Sequence, residues 1–278
     1  MRIFKRILLG VGVTIVVIGV IGISSYYYFK NVQGIDAIRI YKAFKSLQTV
    51  DENYSLKKFN DDDLNSAVTK INSSTPNLLV KDGDYYKVND TYTTLPVMLK
   101  DITLNGKETT ALFNNFKEKE GKETLKDLNL IDISYSNLKN DSVNLTTIIS
   151  YNFTTENKDS LNNFPMILFK GLLPDTIYVK SVISINKTTK EFEYTTSSVE
   201  FCLNSLNNED AEYTFDLLNR FMNIGTHDEL NLKIGNIIAN ALIGNSDNEG
   251  LGYVYSKLGA KDFKFKEDNG EIVYSLYK

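Results

Sequence analysis

Hydrophobic and polar positions along this chain fall into three patterns. The first is a run without a single charge, Ile7 to Phe29, preceded by Arg2, Lys5 and Arg6 and followed by Lys30. At about 1.5 Å rise per residue such a helix reaches roughly 35 Å, enough to cross a hydrocarbon core of about 30 Å. Its strongly apolar part, Ile7 to Ile23, is longer than the apolar region of about 7–15 residues in a cleaved signal peptide. Tyr26, Tyr27 and Tyr28 then suit an interfacial aromatic belt better than a cleavage site. The pattern predicts a retained single-pass signal-anchor, with Ile7, Val16 and Ile23 in the bilayer and the three tyrosines at its surface. The cationic flank places the N-terminus in the cytoplasm and the rest of the chain outside it.

The second pattern is helical. Asp36 to Gln48 carries Ile38, Tyr41, Phe44 and Leu47 at every third position. Helices opening at Asn60, Asn105 and Thr226 each start with a capping residue followed three positions later by an acid (Asp63, Glu108, Glu229), the capping-box arrangement. The last of these has the clearest apolar face, with Leu230, Ile234, Ile237, Ile238 and Ala241. A further helix is predicted from Asp210 to Asn223.

The third pattern is alternation, and it comes in pairs. Ile131, Ile133 and Tyr135 precede a turn at Asn137 to Asp141. Val143, Leu145, Thr147, Ile149, Tyr151 and Phe153 then share one face of a long return strand whose other face is almost wholly polar. A second pair spans Thr176–Ile185 and Glu191–Leu203, where a change of apolar parity predicts a bulge between Thr195 and Ser198. The third pair, Asp262–Lys266 and Glu271–Tyr277, meets at Asp268-Asn269-Gly270, a strong hairpin signal. The predicted fold is therefore α+β: an N-terminal single transmembrane helix, then a curved antiparallel sheet of hairpins packed with amphipathic helices. Residues 1–29 are cytoplasmic stub and anchor, 30–58 a juxtamembrane stalk helix, and 59–278 one extracytoplasmic domain.

Composition narrows the partners. Acidic residues number 35 against 31 basic ones, three of which precede the apolar run, so the exported part is acidic and a poor match for nucleic acid. One cysteine, Cys202, excludes an internal disulfide, and its FCL context marks a buried small hydrophobe. The single histidine, His227, excludes any multi-histidine metal site and is read as a solvated residue in a first helical turn. A nucleophilic Cys202–His227 pair requires the fold to bring the two together. No phosphate-binding glycine motif and no G-x-S-x-G elbow is present. Asp61, Asp62 and Asp63 suit capping, while Asp82 and Asp84, and Asp247 and Glu249, sit in Gly-containing loops read first as solvated turns and only as an alternative as Ca²⁺ sites, since EF-hand spacing is lacking. No catalytic residue, metal ligand or cofactor is assigned. The densest apolar segment carries Phe164, Met166, Leu168, Phe169, Leu172 and Leu173, read first as ordinary core and otherwise as a candidate lining for a lipid or apolar-ligand groove.

Two segments, FNDDDLNSAV (Phe59 to Val68) and LNGKETTALFNN (Leu104 to Asn115), together with the N-terminal apolar run and the amphipathic hairpins, resemble the YpmS-like membrane-anchored proteins of Gram-positive bacteria. The resemblance implies an exported, anchored α+β module related to elongated lipid-binding tubular folds, and it carries over no catalytic residue. The leading expectation is a non-enzymatic, membrane-tethered binding module of the cell envelope, with the bilayer and a lipid or envelope protein as partners. The alternatives are an envelope glycan-processing enzyme using paired carboxylates and a structural component of an envelope assembly. Fractionation tests the anchor: the chain is expected to stay with membranes through an alkaline carbonate wash, and release into the wash rejects it.

Overall fold

The computed structural model describes residues 36–50, 52–89, 91, 98–119, 129–152, 174, 176–222, 225–243 and 250–278. Its elements follow in the order α1 (Ala37–Gln48), α2 (Glu52–Ser55), α3 (Asp61–Ser74), β1 (Leu79–Asp82), β2 (Tyr85–Val88), β3 (Ile102–Leu104), α4 (Gly106–Lys119), β4 (Asn129–Lys139), β5 (Ser142–Asn152), β6 (Thr176–Lys187), β7 (Tyr194–Leu203), α5 (Asn208–Met222), α6 (His227–Ile243), α7 (Gly250–Leu258), β8 (Asp262–Asp268) and β9 (Glu271–Tyr277). The strands form three antiparallel sheets: the hairpin β1-β2, the three-stranded β3-β9-β8 and the meander β4-β5-β6-β7.

The predicted architecture is corrected in two respects. No helix among the described residues is long and apolar enough to cross a membrane. The run Ile7 to Phe29, with Val16, Ile23, Tyr26, Tyr27 and Tyr28, lies outside the described residues. The single curved sheet is replaced by three, because β9 pairs with β3, a three-residue strand more than 160 positions earlier, rather than extending the meander.

In the meander, pairing puts Val143, Leu145 and Ile149 of β5 beside Val179, Ile183 and Ile185 of β6, with Phe201 and Leu203 of β7 next to them, each at most 1% exposed. The opposite face carries Asn144 and Thr146, yet Ile148, Ser150, Val182 and Cys202 on it are buried, so it is not wholly wet. The parity change in β7 is resolved by a bulge at Val199, just beyond the expected interval, where Ser198 pairs with Ile183 and Glu200 with Val182. A second bulge leaves Ile131 unpaired in β4. The β8–β9 turn places Asn269 at φ 51° and Gly270 at φ 82°, the two left-handed positions of a type I′ turn.

The capping boxes form as the sequence pattern requires. Asn105 Oδ1 accepts from Glu108 N while Glu108 Oε2 accepts from Asn105 N, both at 2.9 Å. The same exchange occurs at Asn60–Asp63 and at Thr226–Glu229. Helix α1 contacts the elements after β7: Arg39 bonds Asp210 of α5 at 2.8 Å, and Asn204 donates to Leu47 O at 2.6 Å.

Helix α6 lies on β6 and β7 through a seam that is polar as well as apolar. A Cβ at Gly235 would stand 2.4 Å from Ile183 Cγ2, so the helix approaches the sheet closely here. Beside it Asn231 is fully buried: its amide donates to Val182 O and Ser198 Oγ, both at 2.9 Å, and its Oδ1 accepts from Ser181 Oγ at 2.6 Å. Asp228 accepts from Ser198, Asn236 from Thr196 and Asn240 from Tyr194.

Helix α4 connects most of the remaining parts. The hydroxyl of Thr110 accepts from Ile133 N at 3.0 Å, and Asn114 Nδ2 donates to Leu130 O at 2.7 Å, so this helix satisfies two backbone groups near the start of β4. Buried Glu108 accepts from Ser66 and Lys70 of α3, each at 2.7 Å. Asn115 bonds both backbone groups of Tyr86 in β2 at 2.8 Å. Its apolar side sends Leu112, Phe113 and Phe116 into the core.

This docking needs a glycine at the first position of α4. A Cβ on Gly106 would stand 2.1 Å from the Ile133 carbonyl oxygen, a backbone atom that cannot move aside alone. Gly106→Ala is therefore expected to lower stability by about 1–3 kcal/mol. Urea denaturation should show a lower midpoint with an unchanged slope; an unchanged midpoint would contradict the packing.

Candidate functional site

The start of α3, the turn of the β1-β2 hairpin, one side of α4 and the start of β4 enclose a cleft of about 450 Å³. That volume falls in the range of small-ligand sites, about 300–1,000 Å³. Its walls are held apart by α4, through Glu108 to α3, Asn115 to β2, and Thr110 and Asn114 to β4. Apolar lining comes from Phe59, Leu64, Ala111 and Leu130, and polar lining from Lys57, Asp61, Asp84, Asn114, Lys117 and Asn129.

Lys117 is the most unusual of these. Its side chain is only 3% exposed, and its Nζ donates to Asn129 Oδ1 at 2.8 Å. Lysine is seldom this deeply buried. The rim carries charge of both signs. Lys57 Nζ lies 4.2 Å from the centre of the Phe59 ring. Asp61 stands in the first turn of α3, and Asp84 follows Gly83 in the hairpin turn. Tyr85, 41% exposed, supplies an aromatic surface.

The residues singled out from the sequence fare unevenly. Asp82 and Asp84 belong to a tight hairpin, with Asp82 paired to Tyr85, not to a Ca²⁺ loop. Among the described residues no group of three or more His, Cys, Asp or Glu stands close enough to hold a metal. Asp247 and Glu249, and the apolar segment with Phe164, Met166, Leu168, Phe169, Leu172 and Leu173, lie outside the described residues. Asp61 and Asp84, from separate candidate clusters, come together as lining of one cleft.

His227 is not solvated. It is 4% exposed, its Nε2 lies 3.1 Å from Phe201 O, and its ring stands 5.5 Å from Phe201 and 6.4 Å from Phe215. The first turn of α6 sits over the end of β7, so a position that is exposed on most helices is enclosed here. Cys202 points to the opposite side of β7 and donates to Glu200 Oε1 at 3.3 Å, so the two residues form no nucleophilic pair. Burial, reinforced by the hydrogen bond and charge of Glu200, pushes the Cys202 thiol up to about 12. Burial alone would raise the Glu200 carboxyl, but hydrogen bonds from Lys180 and Cys202 outweigh it and hold the group below its ordinary range.

Lys57, Tyr85, Asn114, Lys117 and Asn129 were not selected from the sequence. They are side chains from three elements, β2, α4 and β4, and from the loop before α3, and their only local signal is the Asn114-Asn115 pair inside an otherwise regular helix. Comparison with protein-family models, with curated proteins and with solved structures gives no match in any of the three.

The Cys202 environment yields a pH prediction. A thiol whose folded pKa is raised from 9.0 to about 12 contributes stability that is complete below about pH 9 and lost as pH rises toward 12. Native protein at pH 8 is expected to resist alkylation by iodoacetamide and to react fully once unfolded, because the thiolate is the nucleophile. Rapid native alkylation, read by mass spectrometry, would refute the assignment.

Proposed function

We propose that this protein is a non-enzymatic, membrane-tethered, extracytoplasmic binding module of the cell envelope. Its ligand site is the cleft between α3, the β1-β2 hairpin, α4 and β4. The observation that carries the reading is the cleft itself: a ligand-sized space with a buried ammonium, Lys117, on its wall. The similarity of Phe59–Val68 and Leu104–Asn115 to YpmS-like proteins agrees with a membrane-anchored module, and both segments contribute to this cleft. A ligand between the meander and its helices is less favoured, since the described side chains there are closely packed and leave almost no accessible surface.

One observation favours the enzymatic alternative: Asp61 and Asp84 line the same cleft. A glycan-cleaving pair needs one carboxyl in a sheltered setting that keeps it protonated. Both of these are exposed, which supports binding over catalysis.

Native mass spectrometry of the full chain released from lipid nanodiscs is the test. The wild type is expected to carry, or to take up from a mixture of envelope metabolites, one small molecule. Leu64→Trp, which fills the cleft, should abolish it. An unliganded mass throughout, with no thermal stabilisation by any compound, rejects a ligand-binding role.

A further inference from the structure

The chemistry of the cleft lining points to a ligand class, an inference that rests on the binding-module reading. We infer that the cleft takes an uncharged saccharide unit, a pyranose bearing hydroxyl or acetamido groups. Three ligand classes can be compared with its walls. A lipid chain needs a nearly continuous apolar lining. Here seven of the thirteen lining residues are Lys, Asp or Asn, and an acyl chain would cover amides and charges without bonding them. A phosphate needs excess positive charge or an open helix N-terminus. The two lysines of the lining are matched by Asp61 and Asp84, so the site has no cationic excess. The start of α3 is also closed to anions. Asn60 and Asp63 complete its capping box, and Asp61, Asp62 and Asp63 already place three carboxylates at its positive end.

What remains is a neutral molecule with many donors and acceptors and one apolar face, which describes a sugar ring. The cleft presents matching groups. Both bonds from Asn114 Nδ2 go to the carbonyls of Thr110 and Leu130, at 3.0 and 2.7 Å, which leaves its Oδ1 as an acceptor for a hydroxyl or amide proton. Lys117 and Asn129, bonded to each other at 2.8 Å, put an ammonium and a side-chain amide together at one end of the site. Tyr85 is exposed enough to stack on the C–H face of a ring, and Leu64 and Leu130 contribute apolar surface. Asn115 is held by both backbone groups of Tyr86, which fixes the strand carrying Tyr85 against α4.

The chain has no tryptophan, so Tyr85→Trp places a single indole at the cleft while keeping an aromatic surface. The full-length variant in lipid nanodiscs is titrated with N,N′-diacetylchitobiose and, separately, with inorganic phosphate. The expected result is a saturable change in indole emission with the disaccharide and none with phosphate. By calorimetry, Tyr85→Ala should weaken disaccharide binding at least tenfold without lowering the melting temperature, and Leu64→Trp should abolish it. Saturable binding of phosphate alone, lost in Leu64→Trp, overturns the saccharide inference and leaves the binding module standing. Disaccharide binding unaffected by Tyr85→Ala and Leu64→Trp places the sugar elsewhere and also overturns it. If neither probe binds and native mass spectra show no adduct, the binding-module reading falls with it.

Discussion

An edge strand presents backbone groups that must find partners, and in this protein the first residues of β4 find them in side chains of α4 and in the backbone of Lys58. Each buried donor or acceptor left unpaired costs about 1–3 kcal/mol, so an uncovered edge inside a domain is untenable. Thr110 and Asn114 supply the missing partners for Ile133 and Leu130, and Gly106 lets the helix come near enough to do so. Once α4 is fixed in this way, its other polar residues fix what surrounds it: Glu108 holds α3, and Asn115 holds β2. The apolar side of the same helix feeds the core with Leu112, Phe113 and Phe116. Much of the first half of the described chain is thus positioned by one fourteen-residue helix.

The cleft follows from that arrangement. Three neighbours are held to α4 by side chains rather than by direct apolar contact along their whole length, and the space between their attachment points remains open. Its walls are therefore rigid, because each is tied to the same helix, and its lining is mixed, because the ties are polar. A rigid, mixed lining suits recognition of a small polar molecule, since ordering costs on binding are low when the site is formed in advance. Residues with the usual nucleophilic or basic chemistry are employed elsewhere: His227 closes the end of β7 and Cys202 packs against Glu200.

Local features could be seen in the sequence and long-range ones could not. The capping boxes at Asn60, Asn105 and Thr226 depend on residues three apart, and the long alternating strands β5 and β6 depend on a period of two, so both are visible in one dimension. The hairpin β1-β2 has no strand signal in the sequence, because its strands are four residues long and carry Lys81, Asp82 and Lys87. Strand β3 is shorter still and exists only because β9 returns to pair with it. Ile38 has the spacing of a core position, yet it is 53% exposed, since α1 meets α5 through Arg39 and the turn after β7 through the Leu47 carbonyl. The cleft was the least accessible feature. Its residues come from four elements, and each has the composition of ordinary surface until the fold assembles them.

The seam under α6 has a consequence for how this sequence can drift. A helix held only by leucine and isoleucine can slide or rotate by small steps as its residues change, because dispersion contacts have no fixed partner. Asn231, Asn236, Asn240 and Asp228 each have a named partner on the sheet, and Asn231 has three. Losing Ser198 would leave Asp228 without its hydroxyl partner and Asn231 with one bond fewer at the same moment. Substitutions in α6 and β7 are therefore tied to one another, and descendants of this chain should change them in matched sets or leave them alone.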